Sequence, residues 1–284
     1  MSIDLLLPFA KYAFMKKALA ACAILAIGGT PLGLFLSLRR MALVGDAMSH
    51  ALLPGVAVAF LIYGASSVWP LTIGGVIAGL FVALLAVFLT RTTRLKEDSS
   101  FTLIYLCSIA AGAVIISIKG GSEELVHMLF GDVLAISSGA LWLISAVACI
   151  TLLTLAIFYR SFVLECFDPD FLRAAHRSHF ISQLFFALLV INLVAAFQAL
   201  GTLMALGLML LPAIAAGFWT RRLPATLALS VIFALLASFT GLLVSYYANL
   251  PAGPAVVLAA GALTFISTLA GSHGSLRGYF SGRA

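Results

Sequence analysis

Arg39-Arg40-Met41-Ala42-Leu43-Val44-Gly45-Asp46-Ala47-Met48-Ser49-His50-Ala51-Leu52-Leu53-Pro54-Gly55 opens on two arginines and enters an apolar run that carries a carboxylate and an imidazole. Asp46 and His50 stand four positions apart, so on a helix they share one face, with Cβ atoms about 5–6 Å apart. An ionisable residue inside a membrane span costs about 2.5–3.5 kcal/mol on insertion scales. Carboxylate oxygen and imidazole nitrogen are together ligands for a divalent metal ion. Pro54 lacks the N–H that would bond the carbonyl of His50, and its ring crowds that carbonyl. A bend beside the pair is expected, with an extra oxygen turned toward a ligand or water.

The setting is a membrane. Of the 284 residues, 63% are hydrophobic and 9% charged, where a soluble domain carries about 25% charged. With about 20 apolar residues per helix, the chain divides into up to nine spans: 18–38, 41–63, 68–90, 101–118, 138–159, 181–199, 203–219, 225–247 and 254–271. The expected fold is all-α, a polytopic transmembrane bundle of eight or nine spans. It forms one membrane domain over residues 1–284, with 160–180 as a cytoplasmic loop. No cleavable leader is evident, since the first lysines come late and apolar segments follow without a stop. Cys22, Cys107, Cys149 and Cys166 show no CxxC spacing and read as small hydrophobes.

Lys and Arg positions orient the chain. Placing the loops at Arg39-Arg40, Arg91–Lys96, Arg160–Arg177 and Arg221-Arg222 and the C-terminal tail in the cytoplasm accounts for 12 of the 16 basic residues. Lys11, Lys16, Lys17 and Lys119 remain outside. Nine spans then put the N-terminus outside. An interfacial helix with a broken span within 1–38 makes the count eight. These charges set topology, and no nucleic-acid partner is needed to explain them.

Among the ten acids and five histidines, Asp46 alone and His50 alone fall within these spans. A purely structural reading has the two bonded to each other or to a neighbouring helix, or Asp46 capping a helix start after Gly45. It predicts that removing either side chain damages folding. The site reading predicts lost metal transport with normal assembly.

The stretch Leu38–Gly55 resembles the signature of permease subunits of manganese/zinc/iron ABC importers. The likeness continues through His127–Ile136, Phe167-Asp168-Pro169-Asp170, Gly201–Met204, Leu210–Ala213, Gly241–Tyr247 and Pro251–Pro254, in the same order. The resemblance implies a homodimer of permease chains, two cytoplasmic ATPase subunits and an extracytoplasmic metal-binding protein, in a bacterial inner or plasma membrane. It also carries the metal passage onto Asp46 and His50. The chain has no GxxxxGK[ST] loop, so ATP hydrolysis falls to a separate subunit and the permease itself is not an enzyme.

Several further residues enter on this basis. Asp168, Pro169 and Asp170 read as a helix start with acids in the first turn, followed by Phe171 packing in a groove and Arg173 facing polar surroundings. This short helix is expected to couple the ATPase to the spans on either side. The family's glycine soon after that helix is replaced here by His176-Arg177-Ser178-His179. Glu123, Glu124 and Asp132 mark an external loop suited to guiding a cation or meeting the binding protein. Asn192, with Gln198, is either an oxygen ligand or an interhelical hydrogen bonder. Pro212 predicts a broken helix near Leu208, a hinge for alternating access.

The expected mechanism is transient capture of a divalent cation by Asp46 and His50 from two chains, two carboxylates replacing the hydration lost in a low-dielectric channel. No cofactor is bound permanently; the ion is the substrate. The form of the signature looks closest to manganese/iron-type and broad-range members, and Mn²⁺ ranks first, Zn²⁺ second and Fe²⁺ third. Three other classes stay open: a proton- or ion-coupled secondary transporter using Asp and His as a relay, a haem or siderophore permease with a wide apolar pathway, and a membrane scaffold that transports nothing.

Overall fold

The computed structural model describes residues 7–63, 68–93, 97–119, 136–168, 171 and 178–273. The described residues form helices and their connections, with no strand among them. In chain order they are α1 (Leu7–Lys11), α2 (Ala13–Leu38), α3 (Ala42–Ala51), α4 (Leu53–Tyr63), α5 (Val68–Thr92) and α6 (Glu97–Lys119), then α7 (Ser138–Phe167), α8 (Ser178–Leu200), α9 (Thr202–Gly217), α10 (Leu223–Ala248) and α11 (Ala252–Ala270). Among the described residues, eight segments are long and apolar enough to cross a membrane, α3 and α4 together making one of them. The sixteen residues of α9 reach only about 24 Å at 1.5 Å per residue, short of a hydrocarbon core of about 30 Å.

Each of the nine expected spans corresponds to one of these segments, with differences that have physical causes. α2 starts at Ala13 and carries Lys16 and Lys17 within it, so 13–38 is unbroken. α7 continues beyond 159 to Phe167, because no breaker stands between Arg160 and Phe167. The connection between α7 and α8 therefore starts at Asp168. Phe158 leaves helical geometry (φ −101°, ψ 15°), twenty residues and about 30 Å after Ser138, where a span would end. α9 runs through Pro212 without the expected break. The carbonyl of Leu208, which the proline cannot bond, accepts the hydroxyl of Thr30 on α2 at 3.4 Å, as a freed backbone group in a membrane requires.

α2 lies at the centre, packed against α7, α9 and α10, and α11 closes on α9 and α10. α3 and α4 pack with α6, α4 and α6 also meet α5, and α8 joins the two groups through α5 and α7. Small residues permit the tightest crossings. A Cβ on Gly33 would strike the backbone oxygen of Met209 on α9, and one on Gly55 the backbone oxygen of Gly74 on α5. A single residue, Gly201, separates α8 from α9 at φ 85°, a left-handed conformation glycine adopts without penalty.

The α2–α3 connection places the helix that carries the candidate pair. Met41 N–H bonds Leu36 C=O and Arg40 N–H bonds Ser37 C=O, each at 3.0 Å. These two bonds make a Schellman ending, with Arg40 at the left-handed position (φ 58°) usually held by glycine. α3 starts immediately afterwards, so Asp46 stands little more than one turn beyond a tightly bonded corner.

Candidate metal centre

α3 ends at Ala51 and α4 begins at Leu53, so the helix is interrupted beside the pair where Pro54 predicts a bend. The His50 carbonyl accepts the Leu52 N–H instead of a bond from Pro54. Asp46 Oδ1 and His50 Nε2 are 3.8 Å apart. That is longer than a hydrogen bond, and within about 4.2 Å, the widest separation at which two ligands each about 2.1 Å away can share one ion. The side chains are 62% and 39% exposed respectively, so neither is buried in a bond to a neighbouring helix. Between them Ser49 is buried and returns its hydroxyl to Gly45 C=O at 3.0 Å.

The pair faces a cavity of about 730 Å³ between α3 and α9, walled by Leu206, Leu210 and Val257 around Asp46, Ser49 and His50. Asp46 also borders a second space of about 140 Å³ between α3 and α6, with Asp98, Thr102 and Tyr105. Asp98 follows the Arg91–Lys96 connection in sequence and stands at the start of α6. The acid at the start of α6 belongs there for a local reason, since the helix N-terminus favours negative charge. Its position beside Asp46 follows from the packing of α6 on α3 and has no signal in the sequence. Among the described residues, no third His, Cys, Asp or Glu joins Asp46 and His50 in a metal-holding group.

Other residues singled out in the sequence fall elsewhere. Asn192 is buried in α8 and donates to Thr151 Oγ1 on α7 at 2.6 Å and to Leu188 C=O at 2.8 Å. It borders neither of the two cavities around Asp46. Gln198 accepts the Thr72 hydroxyl at 2.8 Å, joining α8 to α5. Pro212 is buried within α9, one residue from Leu211 on the cavity wall. The carboxylate of Asp168 accepts the Phe171 backbone N–H at 3.1 Å, the bond an N-cap makes. Pro169, Asp170 and Arg173, like Glu123, Glu124 and Asp132, lie outside the described residues. Glu165, which the expected spans leave out, sits buried in the last turn of α7 beside Arg39, at 3.6 Å.

A multi-helix bundle with a carboxylate–imidazole pair on a cavity wall suits a membrane permease. The chain belongs to the ABC 3 transport family, which it matches over residues 11–271. It is 35% identical over 254 residues to the manganese transport system membrane protein MntC of Halalkalibacterium halodurans, covering 89% of this chain and 85% of that one. It is 32% identical over 270 residues to the chelated iron transport system membrane protein YfeD of Yersinia pestis, covering 94% and 88%. The solved structure of PsaBC from Streptococcus pneumoniae in complex with Fab superimposes with a TM-score of 0.82 at 29% identity, covering 96% of this chain and 98% of that one. The resemblance to manganese/zinc/iron importer permeases is thereby borne out, and with it a multi-pass plasma-membrane location.

Proposed function

We propose that this permease conducts a divalent metal ion into the cell, Mn²⁺ first and Zn²⁺ and Fe²⁺ after it, with Asp46 and His50 as transient ligands. The observation that carries the reading is the pair itself: two ionisable side chains 3.8 Å apart, half-open to a cavity in an otherwise apolar span. Exposure of that kind to lipid is costly, and two ligands are too few for a divalent ion. A second copy of the chain, meeting the first across the α3–α9 face, covers the pair and doubles the ligand count. The site stays incomplete enough to release the ion, since a closed cage would trap it. The manganese and iron names of the relatives favour Mn²⁺ as the leading ion and Fe²⁺ as a further one.

ATP is hydrolysed by two cytoplasmic subunits that engage the segment after Asp168, and an extracytoplasmic binding protein delivers the ion. The permease supplies the passage, holds no permanent cofactor and performs no chemistry of its own. The test is Mn²⁺ and Zn²⁺ uptake into proteoliposomes holding the assembled complex. Asp46→Ala and His50→Ala should each lower uptake about tenfold or more while the complex still assembles. Normal uptake by both variants removes the site, and uptake driven by a proton gradient without ATP removes the ABC mechanism.

A further inference from the structure

The Arg39 side chain is nearly buried, 9% exposed, at the corner between α2 and α3. Its Nη2 lies 3.6 Å from Glu165 Oε1 in the last turn of α7 and donates to Ser182 Oγ in the second turn of α8 at 3.5 Å. Its Cζ stands 5.2 Å from the ring centre of Phe185 and 5.5 Å from that of Phe186, within range of cation–π attraction. One guanidinium therefore ties the corner that launches α3 to the end of α7 and the start of α8. The segment proposed to meet the ATPase runs between those two helix ends.

Two physical routes lead from this point to Asp46. Along the backbone, the Schellman bonds of Arg40 and Met41 hold the corner rigid, and Asp46 follows in the second turn of α3. Across side chains, Phe186 packs against Phe101 of α6 with ring centres 4.8 Å apart. Phe101 in turn walls the small cavity that Asp46 borders. An outward shift of the α7 and α8 ends thus moves both the helix bearing Asp46 and the cavity wall facing it. A charge held in a desolvated pocket resists gradual sliding, because the pair is strong only in close contact.

We propose that Arg39 is the positioning residue through which movement of the α7 and α8 ends reaches the metal pair, with Glu165 and Phe186 as its anchors. The inference rests on the reading of the segment after Asp168 as the ATPase contact. It predicts that weakening the anchor separates ATP hydrolysis from ion movement. The residues that hold the guanidinium come from α7 and α8, and none of them lines either cavity beside Asp46.

The experiment measures Mn²⁺ ions taken up per ATP hydrolysed, in proteoliposomes containing this chain, its ATPase subunits and the binding protein. Glu165→Gln and Arg39→Gln should lower that ratio by about fivefold to tenfold, the range of a coupling change along such a path. Arg39→Lys keeps the charge but not the planar face, and should recover part of the ratio. A merely structural role lowers uptake and hydrolysis together and leaves the ratio at the wild-type value, which overturns the proposal. Should Glu165→Gln and Arg39→Gln fail to assemble, Phe186→Leu keeps the ion pair and removes an aromatic face. A wild-type ratio in Phe186→Leu then overturns the proposal equally. Asp46→Ala, run alongside, separates the two readings. Normal uptake there removes the metal pair, whereas lost uptake there with a wild-type ratio in the Arg39 variants removes only the anchor.

Discussion

His50 Nε2 stands 3.8 Å from Asp46 Oδ1, one helical turn away on the same face, too far for a direct hydrogen bond and close enough to share an ion. Both side chains open onto the α3–α9 cavity. Within the single chain the pair is neither buried nor directly hydrogen-bonded.

Ligand chemistry at position 50 should tune metal choice. Imidazole suits Zn²⁺ and Fe²⁺, while carboxylate oxygens suit Mn²⁺. His50→Asp is expected to raise the Mn²⁺:Zn²⁺ uptake ratio by about tenfold, roughly 1.4 kcal/mol of discrimination. Competition uptake with both ions present measures it, and an unchanged ratio places selectivity outside this residue.

Thr30 is the residue that lets Pro212 sit inside an unbroken α9, because its hydroxyl bonds the Leu208 carbonyl. Thr30→Val preserves shape and leaves that carbonyl without the bond. A loss of about 1 kcal/mol is expected, in line with interhelical hydrogen bonds in membranes. Thermal unfolding in detergent reports it. Thr30→Ser should be close to the wild type.

Asn192 spends its amide on Thr151 and Leu188, so it should behave as a fastener between α7 and α8. Asn192→Leu should lower stability by about 1 kcal/mol and leave the order of transported metals unchanged. A changed metal order with unchanged stability would return Asn192 to the ion path.

Gly55 and Gly74 place the backbones of α4 and α5 in direct contact. Gly55→Ala must separate the two helices, at a cost of about 1–3 kcal/mol for overpacking. The matching control is Gly261→Ala, where an added Cβ meets nothing within 4 Å. Similar unfolding temperatures for the two variants would contradict the close crossing.

Much of the fold was legible because its signals are local. A run of apolar residues demands a span wherever it occurs, and basic residues between runs orient the spans. The i, i+4 spacing put Asp46 and His50 on one face before any neighbour was known, and the proline four residues on marked the interruption at Leu52. The signature around them named the family. The stop at Asp168 was also local, whereas the eight residues by which α7 outlasts the expected span 138–159 were not legible, because loss of hydropathy after Phe158 is not loss of helix.

The tertiary structure decided what each polar group inside the bundle does. Asn192 and Pro212 look alike in sequence as candidates for gating. Only the arrangement of helices shows the amide bonded to Thr151 and the proline's freed carbonyl bonded to Thr30. Asp98 became a neighbour of Asp46 because α6 packs on α3, and Arg39 met Glu165 because α2, α7 and α8 converge at one end of the bundle. Hydropathy and periodicity act between residues a few positions apart, whereas these hydrogen bonds and this ion pair join residues from 41 to 178 positions apart. In a membrane every such polar group must find its partner within the protein, and which partner it finds depends on how the helices pack.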